Sequence, residues 1–319
     1  ASGRGHSVTR EKLGLFAVLI LLGMAWGITQ PLSKIAVSEG YRHYGIIFWQ
    51  FVIGAVFLGG VCLLRGKAFR ITARRVALYV IIALIGTLLP NSASFTAAIH
   101  LPSGILSIVL SLIPMIAFPI ALLWGLDRFS SARLLGLLLG LAAILLIALP
   151  QTSLPDPAMI WWLPIALIAP VFYAIEGNFV ARYGTAGLDP VQVLFGASII
   201  GIVMTAPLAL MTGQWISPLP PYAAPDWAIL GSSVAHIFAY TTYVWLVQRA
   251  GPVFAAQVSY FVTGFGVFWA KLILDESYSP WVWGAMALMF AGLFLVQPRG
   301  KDALAGAGAV GDDGPNSRV

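Results

Sequence analysis

The chain has 319 residues, of which 59% are apolar and 9% charged, with a mean hydropathy of +0.90 and a formal net charge of +6. So small a charged fraction excludes an ordinary soluble domain, in which about a quarter of the residues are charged. Cys62 is the only cysteine in the sequence, which excludes an intramolecular disulfide and a cysteine-based metal cluster. The composition therefore predicts an all-α integral membrane protein that needs neither a cofactor nor a metal.

Ten apolar segments follow one another along the chain, and most approach the ~20 residues with which a helix crosses a bilayer. The segments cover residues 13–33, 44–64, 76–100, 103–124, 131–149, 159–183, 190–212, 227–248, 252–273 and 279–297. The breaks between them are too short to hold a soluble domain. We therefore predict ten transmembrane helices around a central cavity.

The boundaries of these segments predict the organisation of the chain. Residues 1–12 are basic, and we expect them in the cytoplasm ahead of a retained first helix, which is longer than the apolar part of a cleavable signal peptide. A first five-helix repeat is expected at 13–149, an outer linker at 150–158 and a second five-helix repeat at 159–297. Residues 298–319 are rich in Gly and Asp and are predicted to form a disordered cytoplasmic tail.

The basic residues predict the orientation, because Lys and Arg stay preferentially on the cytoplasmic side of a membrane. With the N-terminus inside, Lys34, Arg42 and Lys271 are the only three of the 18 Lys and Arg residues at outer ends. We therefore expect a multi-pass protein of the bacterial inner membrane with both termini in the cytoplasm. The same bias accounts for the net charge, so we expect no nucleic-acid partner.

The first segment ends in GMAWGITQPLSKIAV (residues 23–37), which places Pro31 and Lys34 in an apolar helix. A proline is tolerated there when neighbouring helices and polar side chains bond the freed backbone groups. We expect Pro31 to bend the helix near the mouth of the cavity, and Trp26 is a candidate substrate-binding residue. Lys34 lies about one turn farther on, and its side chain is expected to extend to the outer surface.

Polar side chains lie beside prolines in the third and fourth segments. The third carries PNSASFTA from position 90 onward, and the fourth has two serines, four residues apart, just before a proline. Polar groups inside a membrane must face protein or water, so they favour a cavity wall, although serines also hydrogen-bond their own helix. The candidate substrate-binding residues here are Asn91, Ser94, Phe95, Ser107 and Ser111.

The sixth segment adds Tyr173 to the candidates and contains the acidic residue Glu176. Glu176 lies two turns before Arg182, about 10 Å inside the cytoplasmic end. A carboxylate at that depth exchanges protons or binds an ammonium group, and Glu176 is therefore the candidate coupling residue. The alternatives are an ion pair or an extension of the side chain to the inner interface.

The eighth segment has the clearest polar face. His236, Tyr240 and Tyr243 follow the spacing i, i+4, i+7, and His236 lies about 15 Å from the outer end. The ninth segment presents Gln257 and Tyr260 in a similar way, although tyrosines also pack against neighbouring helices. Together the four polar faces predict a partly aromatic site near mid-depth, in which tyrosine rings attract the ammonium of an apolar or aromatic ligand.

The chain also contains an internal repeat. Residues 126–148 match residues 274–296 at six positions when the offset is 148, including a Leu-Asp opening followed by an in-register Ser and Gly. Five crossings per repeat force the two halves to run in opposite directions. Inverted repeats are common in secondary transporters, whose substrate site lies at the repeat interface near the membrane midplane.

The pattern of Trp26, Gly27, Pro31 and Lys34, followed by a Gly-rich fifth segment after Asp127, resembles the drug/metabolite transporter superfamily. The resemblance covers about residues 13–297, and bacterial amino-acid exporters, including the aromatic branch, are the most similar. It implies a duplicated ten-helix fold and export of small metabolites, often amino acids. Some members use an acidic residue in the first helix for proton coupling, and the first segment here contains none.

We therefore expect a secondary transporter that exports amino acids, aromatic or otherwise apolar, by alternating access and acts as a monomer in the lipid bilayer. Export of another small metabolite or drug-like compound is the alternative, and a channel is a further one. A channel is disfavoured because its pore-lining segments are more often repeated in a symmetric oligomer. An enzyme is disfavoured because the sequence has no HExxH motif, no P-loop and no acidic pair inside a segment.

Overall fold

The computed structural model describes residues 3–67, 69 and 71–296, and this part of the chain is helical without strands. The tail predicted to be disordered, residues 298–319, lies outside the described residues. Ten helical stretches follow the ten predicted segments in order. They are α1 (Gly3–Gly27 and Thr29–Ala36), α2 (His43–Leu64), α3 (Ala73–Ala83, a π-helical turn Leu84–Leu88, and Leu89–His100), α4 (Ser103–Leu110 and Ile113–Leu123), α5 (Ser131–Ala148), α6 (a 3₁₀ turn Pro157–Trp162, Leu163–Ala166 and Ile168–Tyr183), α7 (Pro190–Met211), α8 (Ala224–Ala250), α9 (Pro252–Ala255 and Val258–Leu274) and α10 (Pro280–Leu295).

The first seven helices are long and apolar enough to cross a membrane, counting α1 from Leu13. The second part of α9 and the whole of α10 are apolar but shorter. Helix α8 has 27 residues and is less apolar because it contains Ser, His, Thr and Tyr side chains. The prediction of an all-α membrane protein is confirmed.

Three helices are interrupted for the same reason. A proline has no N–H group, so the carbonyl four residues earlier loses its intrahelical donor. The first parts of α1, α4 and α6 each end four residues before a proline. These prolines are Pro31, Pro114 and Pro170. Helix α9 is also interrupted, at residues 256–257, where no proline follows.

Equivalent helices of the two halves pack against each other in antiparallel directions. Helix α2 packs on α7, with Gly45 at its start against Gln214, just after the end of α7, and Gly59 near its end against Phe195 near the start of α7. Helices α5 and α10 form a second such pair, and α4 and α9 a third. Because each pair joins equivalent helices running in opposite directions, the two five-helix halves are inverted, as predicted.

Glycines allow the α5–α10 pair to approach closely. Gly136 of α5 lies against the backbone of Gly292 of α10, and Gly140 lies against Met115 of α4. Added methyl groups would collide at both positions. The GLLLG face therefore packs inside the scaffold and does not face the cavity.

The helices nearest the centre form two groups, and each group contains helices from both halves. Helix α1 packs on α8 and α9, and its equivalent α6 packs on α3 and α4. We call these the α1/α8/α9 group and the α3/α4/α6 group. We call the end of the bundle with residues 37–42, 101–102, 149–156, 212–223 and 275–279 the linker end, and the opposite end, with residues 124–130 and 184–189, the termini end.

Candidate functional site

A cavity of about 550 Å³ lies between the two groups. Helices α1–α4 and α6–α9 all contribute to its wall, whereas α5 and α10 do not. Ligand pockets commonly measure about 300–1,000 Å³, so the cavity is large enough for a small solute. Among the described residues that line it there is no Asp, Glu, Lys or Arg.

Ten of the twelve candidate substrate-binding residues line this cavity. The structure brings together side chains that lie far apart in the sequence. They are Trp26, Asn91, Ser94, Phe95, Ser107, Ser111, Tyr173, His236, Tyr240 and Tyr243.

Gln257 and Tyr260 do not line the cavity, contrary to expectation. Gln257 lies in the interruption of α9, and Tyr260 lies in the helix that begins at Val258, on a face that does not line the cavity. The ring of Tyr260 packs instead on Phe290 of α10, with the ring centroids 5.9 Å apart. Ser259 and Thr263 take the lining positions on α9.

The α1/α8/α9 group presents an aromatic wall. The indole Nε1 of Trp26 donates to Nδ1 of His236 at 3.1 Å. Because Nδ1 accepts this bond, the ring carries its proton on Nε2, which is a donor. The ring of Tyr243 lies 5.4 Å from that of Trp26, and the ring of Tyr240 lies 6.5 Å from that of His236.

The α3/α4/α6 group presents a chain of amides and a phenol. The hydroxyl of Tyr173 donates to Oδ1 of Asn91 at 2.6 Å, and Nδ2 of Asn91 donates to Oε1 of Gln50 on α2 at 3.0 Å. All three residues line the cavity. The bond between Tyr173 and Asn91 joins α6 to α3, and the bond between Trp26 and His236 joins the equivalent helices α1 and α8. In each group, therefore, the first of these helices carries an aromatic donor and the second a polar acceptor.

Hydroxyl groups cross the centre of the site. Ser111 of α4 and Thr263 of α9 share a short hydrogen bond that connects the two groups. Ser107 donates to the carbonyl of Ser103 at 3.2 Å. This bond lies within its own helix, which is the alternative role expected for these serines. Its side chain also lies against Gly266 of α9. The serines therefore both satisfy their helix and line the cavity.

Glu176 lies just behind the cavity wall. Its carboxylate contacts Gly86 in the π-helical turn of α3, and Gly86 itself lines the cavity. In the described part of the chain Glu176 has no hydrogen bond or ion pair, and Arg182 donates instead to the carbonyl of Trp124 at 2.5 Å. The structure therefore does not support the ion-pair alternative for Glu176.

Lys34 does not extend to the surface as expected. Its ammonium group donates to three backbone carbonyls, of Ala98 at 2.6 Å, Ile99 at 3.2 Å and Leu101 at 3.1 Å. These carbonyls lie at the C-terminal end of α3, where the helix dipole attracts a cation.

Several cavity residues are not predicted by the sequence because they lie outside its short polar clusters. Gln50 is a single amide in an otherwise apolar segment, without the neighbouring polar residues and proline that identified Asn91. Other missed residues are small hydroxyls that apolar helices tolerate well. They are Thr29, Ser33, Thr87, Ser198, Ser232, Ser233, Ser259 and Thr263.

Inverted halves around a solute-sized cavity define a membrane transporter of small solutes. The chain belongs to the EamA-like transporter family, whose model matches residues 12–149 and 160–297. The two matches begin 148 residues apart, which is the offset of the internal repeat. The resemblance to the drug/metabolite transporter superfamily is confirmed.

Individual relatives agree with this assignment. A WAT1-related protein of Arabidopsis thaliana is 27% identical over 314 residues, which cover 90% of this chain and 86% of the plant protein. One crystal structure superposes with a TM-score of 0.62 over 94% of this chain and 99% of its own. At 15% identity that likeness shows the fold alone.

Proposed function

We propose that the protein exports amino acids with aromatic or other apolar side chains. The observation that carries this proposal is an aromatic wall with Trp26, Tyr240 and Tyr243, together with a polar wall in which Tyr173, Asn91 and Gln50 form a hydrogen-bonded chain. Hydroxyl groups line the cavity from both groups of helices. An aromatic wall suits an apolar side chain, and the polar wall suits the backbone groups of an amino acid.

Each end of such a substrate has a complementary group. The ammonium group is held by the tyrosine rings and by Glu176 behind Gly86. The carboxylate is held by hydroxyl donors such as that of Ser94 and by Nε2 of His236. The cavity wall has no Lys or Arg among the described residues, so neutral donors have to carry this recognition.

Transport follows from relative movement of the two groups. If the α1/α8/α9 group rocks against the α3/α4/α6 group, the cavity opens to one side of the membrane and then to the other. Glu176 couples this movement to protons by losing and regaining its proton as the carboxylate is exposed to each side. In this proposal the chain acts as a monomer, because one copy contributes both groups.

The proposed orientation places the termini end in the cytoplasm of a bacterium and the linker end outside its inner membrane, because the basic residues accumulate at the termini end. The proposed units remain 13–149 and 159–297 joined by an outer linker at 150–158. Single cysteines placed in residues 66–74 and 151–157 should be labelled from opposite sides of the membrane. Labelling of both from one side would contradict the orientation.

Export of another apolar metabolite or drug-like compound is the second candidate, because much of the cavity wall is apolar. Purified protein in liposomes separates the two. A panel of labelled amino acids, with a drug-like apolar compound as a further arm, is loaded inside, and efflux is measured with and without a pH gradient. We expect efflux of phenylalanine or leucine above protein-free liposomes. Efflux of the drug-like compound alone would support the second candidate and contradict the first.

A further inference from the structure

The turn between α3 and α4 is held by two charged side chains from distant parts of the chain. Lys34 of α1 uses its three ammonium donors on carbonyls of Ala98, Ile99 and Leu101, at the end of α3. A lysine ammonium has only three protons to donate, so this arrangement occupies all of them.

On the other side of the turn, Glu276 binds the N-terminal end of α4. Its Oε1 accepts from the backbone N–H of Ser103 at 2.8 Å and from the Ser103 hydroxyl at 2.9 Å. Its Oε2 accepts from the backbone N–H of Gly104 at 3.1 Å and from the hydroxyl of Tyr278 at 2.6 Å. A carboxylate at a helix N-terminus is favoured by the dipole, as the ammonium is at the C-terminus of α3.

Tyr278 keeps its proton for this bond. Burial and the hydrogen bond to Glu276 raise the pKa of Tyr278 above its ordinary value, so the phenol remains a donor at physiological pH. Ser103 is fully buried, and Pro102, which precedes α4, offers no capping side chain. The end of α4 therefore depends on Glu276 for its cap.

Both charged residues connect the two groups that line the cavity. Lys34 belongs to α1, and Glu276 follows α9, whereas the turn they hold joins α3 to α4. The second part of α1 also packs on α3 and α4 at the linker end. The two groups thus contact each other at the linker end, and part-buried charged hydrogen bonds lie among these contacts.

The termini end differs, although the fold is repeated there. The α4–α5 turn is equivalent to the α9–α10 turn, but its Asp127 pairs with Arg133 of the same half and accepts from the N–H of Arg128 at 2.8 Å. Arg182 binds Trp124 within the α3/α4/α6 group. In the described part of the chain, α6 makes no packing with α8 and α9 comparable to that of α1 with α3 and α4.

We propose that Lys34 and Glu276 form a latch that keeps the linker end closed in the resting transporter, so that the cavity is reached first from the termini end. The proposal rests on the alternating access of the proposed function. Release of the latch exposes two helix ends and two charged groups, all of which water can bond, so the latch can open and close repeatedly. An apolar contact of similar area would gain no hydrogen bonds from water when it opened.

Thiol labelling tests the latch without any substrate. The full-length chain carries Cys62→Ala and a reporter in the cavity, Ser94→Cys, and is studied in membrane vesicles of both orientations with an impermeant maleimide. Reference cysteines Lys67→Cys at the termini end and Thr152→Cys at the linker end, both at exposed positions, show which end each preparation presents. We expect the reporter cysteine to react mainly from the termini side when Lys34 and Glu276 are unchanged.

Loss of the latch should reverse this preference. Glu276→Gln and Lys34→Met are each expected to raise the reporter's labelling rate from the linker side about tenfold, because charge-assisted bonds between the groups are lost. Asp127→Asn, in the equivalent turn, is the matched control and should leave that rate unchanged. Tyr278→Phe removes a single bond to Glu276 and should raise the rate about two- to threefold, which keeps the test available if the other variants fail to fold.

Two results would overturn the latch. One is an unchanged linker-side rate in variants that remain monodisperse, since Lys34 and Glu276 would then be static helix caps. The other is an equal increase in Asp127→Asn, since the effect would then be a general loosening. If the protein does not export amino acids, the labelling pattern should still be as described. If the latch does not exist, efflux of amino acids from liposomes should still be observed, so either proposal can be contradicted without the other.

Discussion

The two walls of the cavity use equivalent helices and unlike side chains. On α1 and α8, Trp26 donates to His236 within an aromatic surface, and on α6 and α3 the corresponding donor and acceptor are Tyr173 and Asn91. The duplicated backbone therefore places a hydrogen-bonded pair on each side of the site, and the sequence of each half decides its chemistry. We infer that the aromatic wall selects the side chain of a substrate, whereas polar groups of both walls hold its ammonium and carboxylate.

The largest expected effect comes from removing the aromatic wall. His236→Ala and Tyr240→Ala should each lower amino-acid flux in liposomes about tenfold or more, because each deletes a ring from the cavity surface. Expression and monodispersity should be unchanged. Tyr222→Ala removes an exposed ring at the linker end and is the control. Normal flux in both cavity variants would remove α8 from the site.

The next effect concerns Glu176 and the pH dependence of transport. Glu176→Gln keeps the shape of the side chain but cannot exchange a proton, so flux should lose its dependence on pH and on an imposed pH gradient. Glu39→Gln, at an exposed position in the turn after α1, is the matched control. A pH profile identical to that of the wild type would show that Glu176 does not couple protons.

A smaller effect is expected on the polar wall. Tyr173→Phe deletes the 2.6 Å bond to Asn91 and keeps the ring, so the apparent KM for the amino acid should rise about fivefold with little change in maximal rate. Tyr183→Phe, at an exposed position on the same helix, is the control. A change confined to the maximal rate would indicate that the pair serves movement and does not bind substrate.

The smallest effect lies outside the membrane-spanning helices, at Tyr41. Burial and a 2.8 Å hydrogen bond to Asp226 raise the pKa of Tyr41 to about 12. Because the folded pKa lies above that of the unfolded chain, this contribution to stability is complete below about pH 10 and is lost as the pH rises towards 12. The midpoint temperature of thermal unfolding should therefore fall less steeply over this pH range in Tyr41→Phe than in the wild type. Identical slopes would contradict the assignment.

Most of the fold was predictable from the sequence because hydropathy and the repeat are regular over many residues. The apolar segments located every helix of the described chain, and the offset of 148 predicted the inverted halves. Pro31 also predicted the interruption in α1, and the interruptions in α4 and α6 precede prolines in the same way. The interruption in α9 has no such mark, and the spacing of Gln257 and Tyr260 alone did not indicate which face of α9 lines the cavity.

The partners of isolated charged residues were not predictable. Lys34 binds carbonyls 64 to 67 residues away, and Glu276 binds a helix end more than 170 residues away. Backbone groups carry no sequence signal that distinguishes one helix end from another, so such contacts emerge only from the packed structure. Side-chain periodicity, in contrast, depends on one helix at a time and placed His236, Tyr240 and Tyr243 on the cavity wall.

Counterflow of labelled phenylalanine tests the central claim most directly. Liposomes that contain the purified protein are loaded with unlabelled phenylalanine and diluted into a trace of the labelled amino acid. Exchange through one alternating site should produce transient accumulation of label, which Tyr240→Ala abolishes and Tyr222→Ala preserves. Absence of accumulation for phenylalanine, leucine and every other amino acid, with monodisperse wild-type protein in the membrane, would contradict amino-acid transport by this cavity.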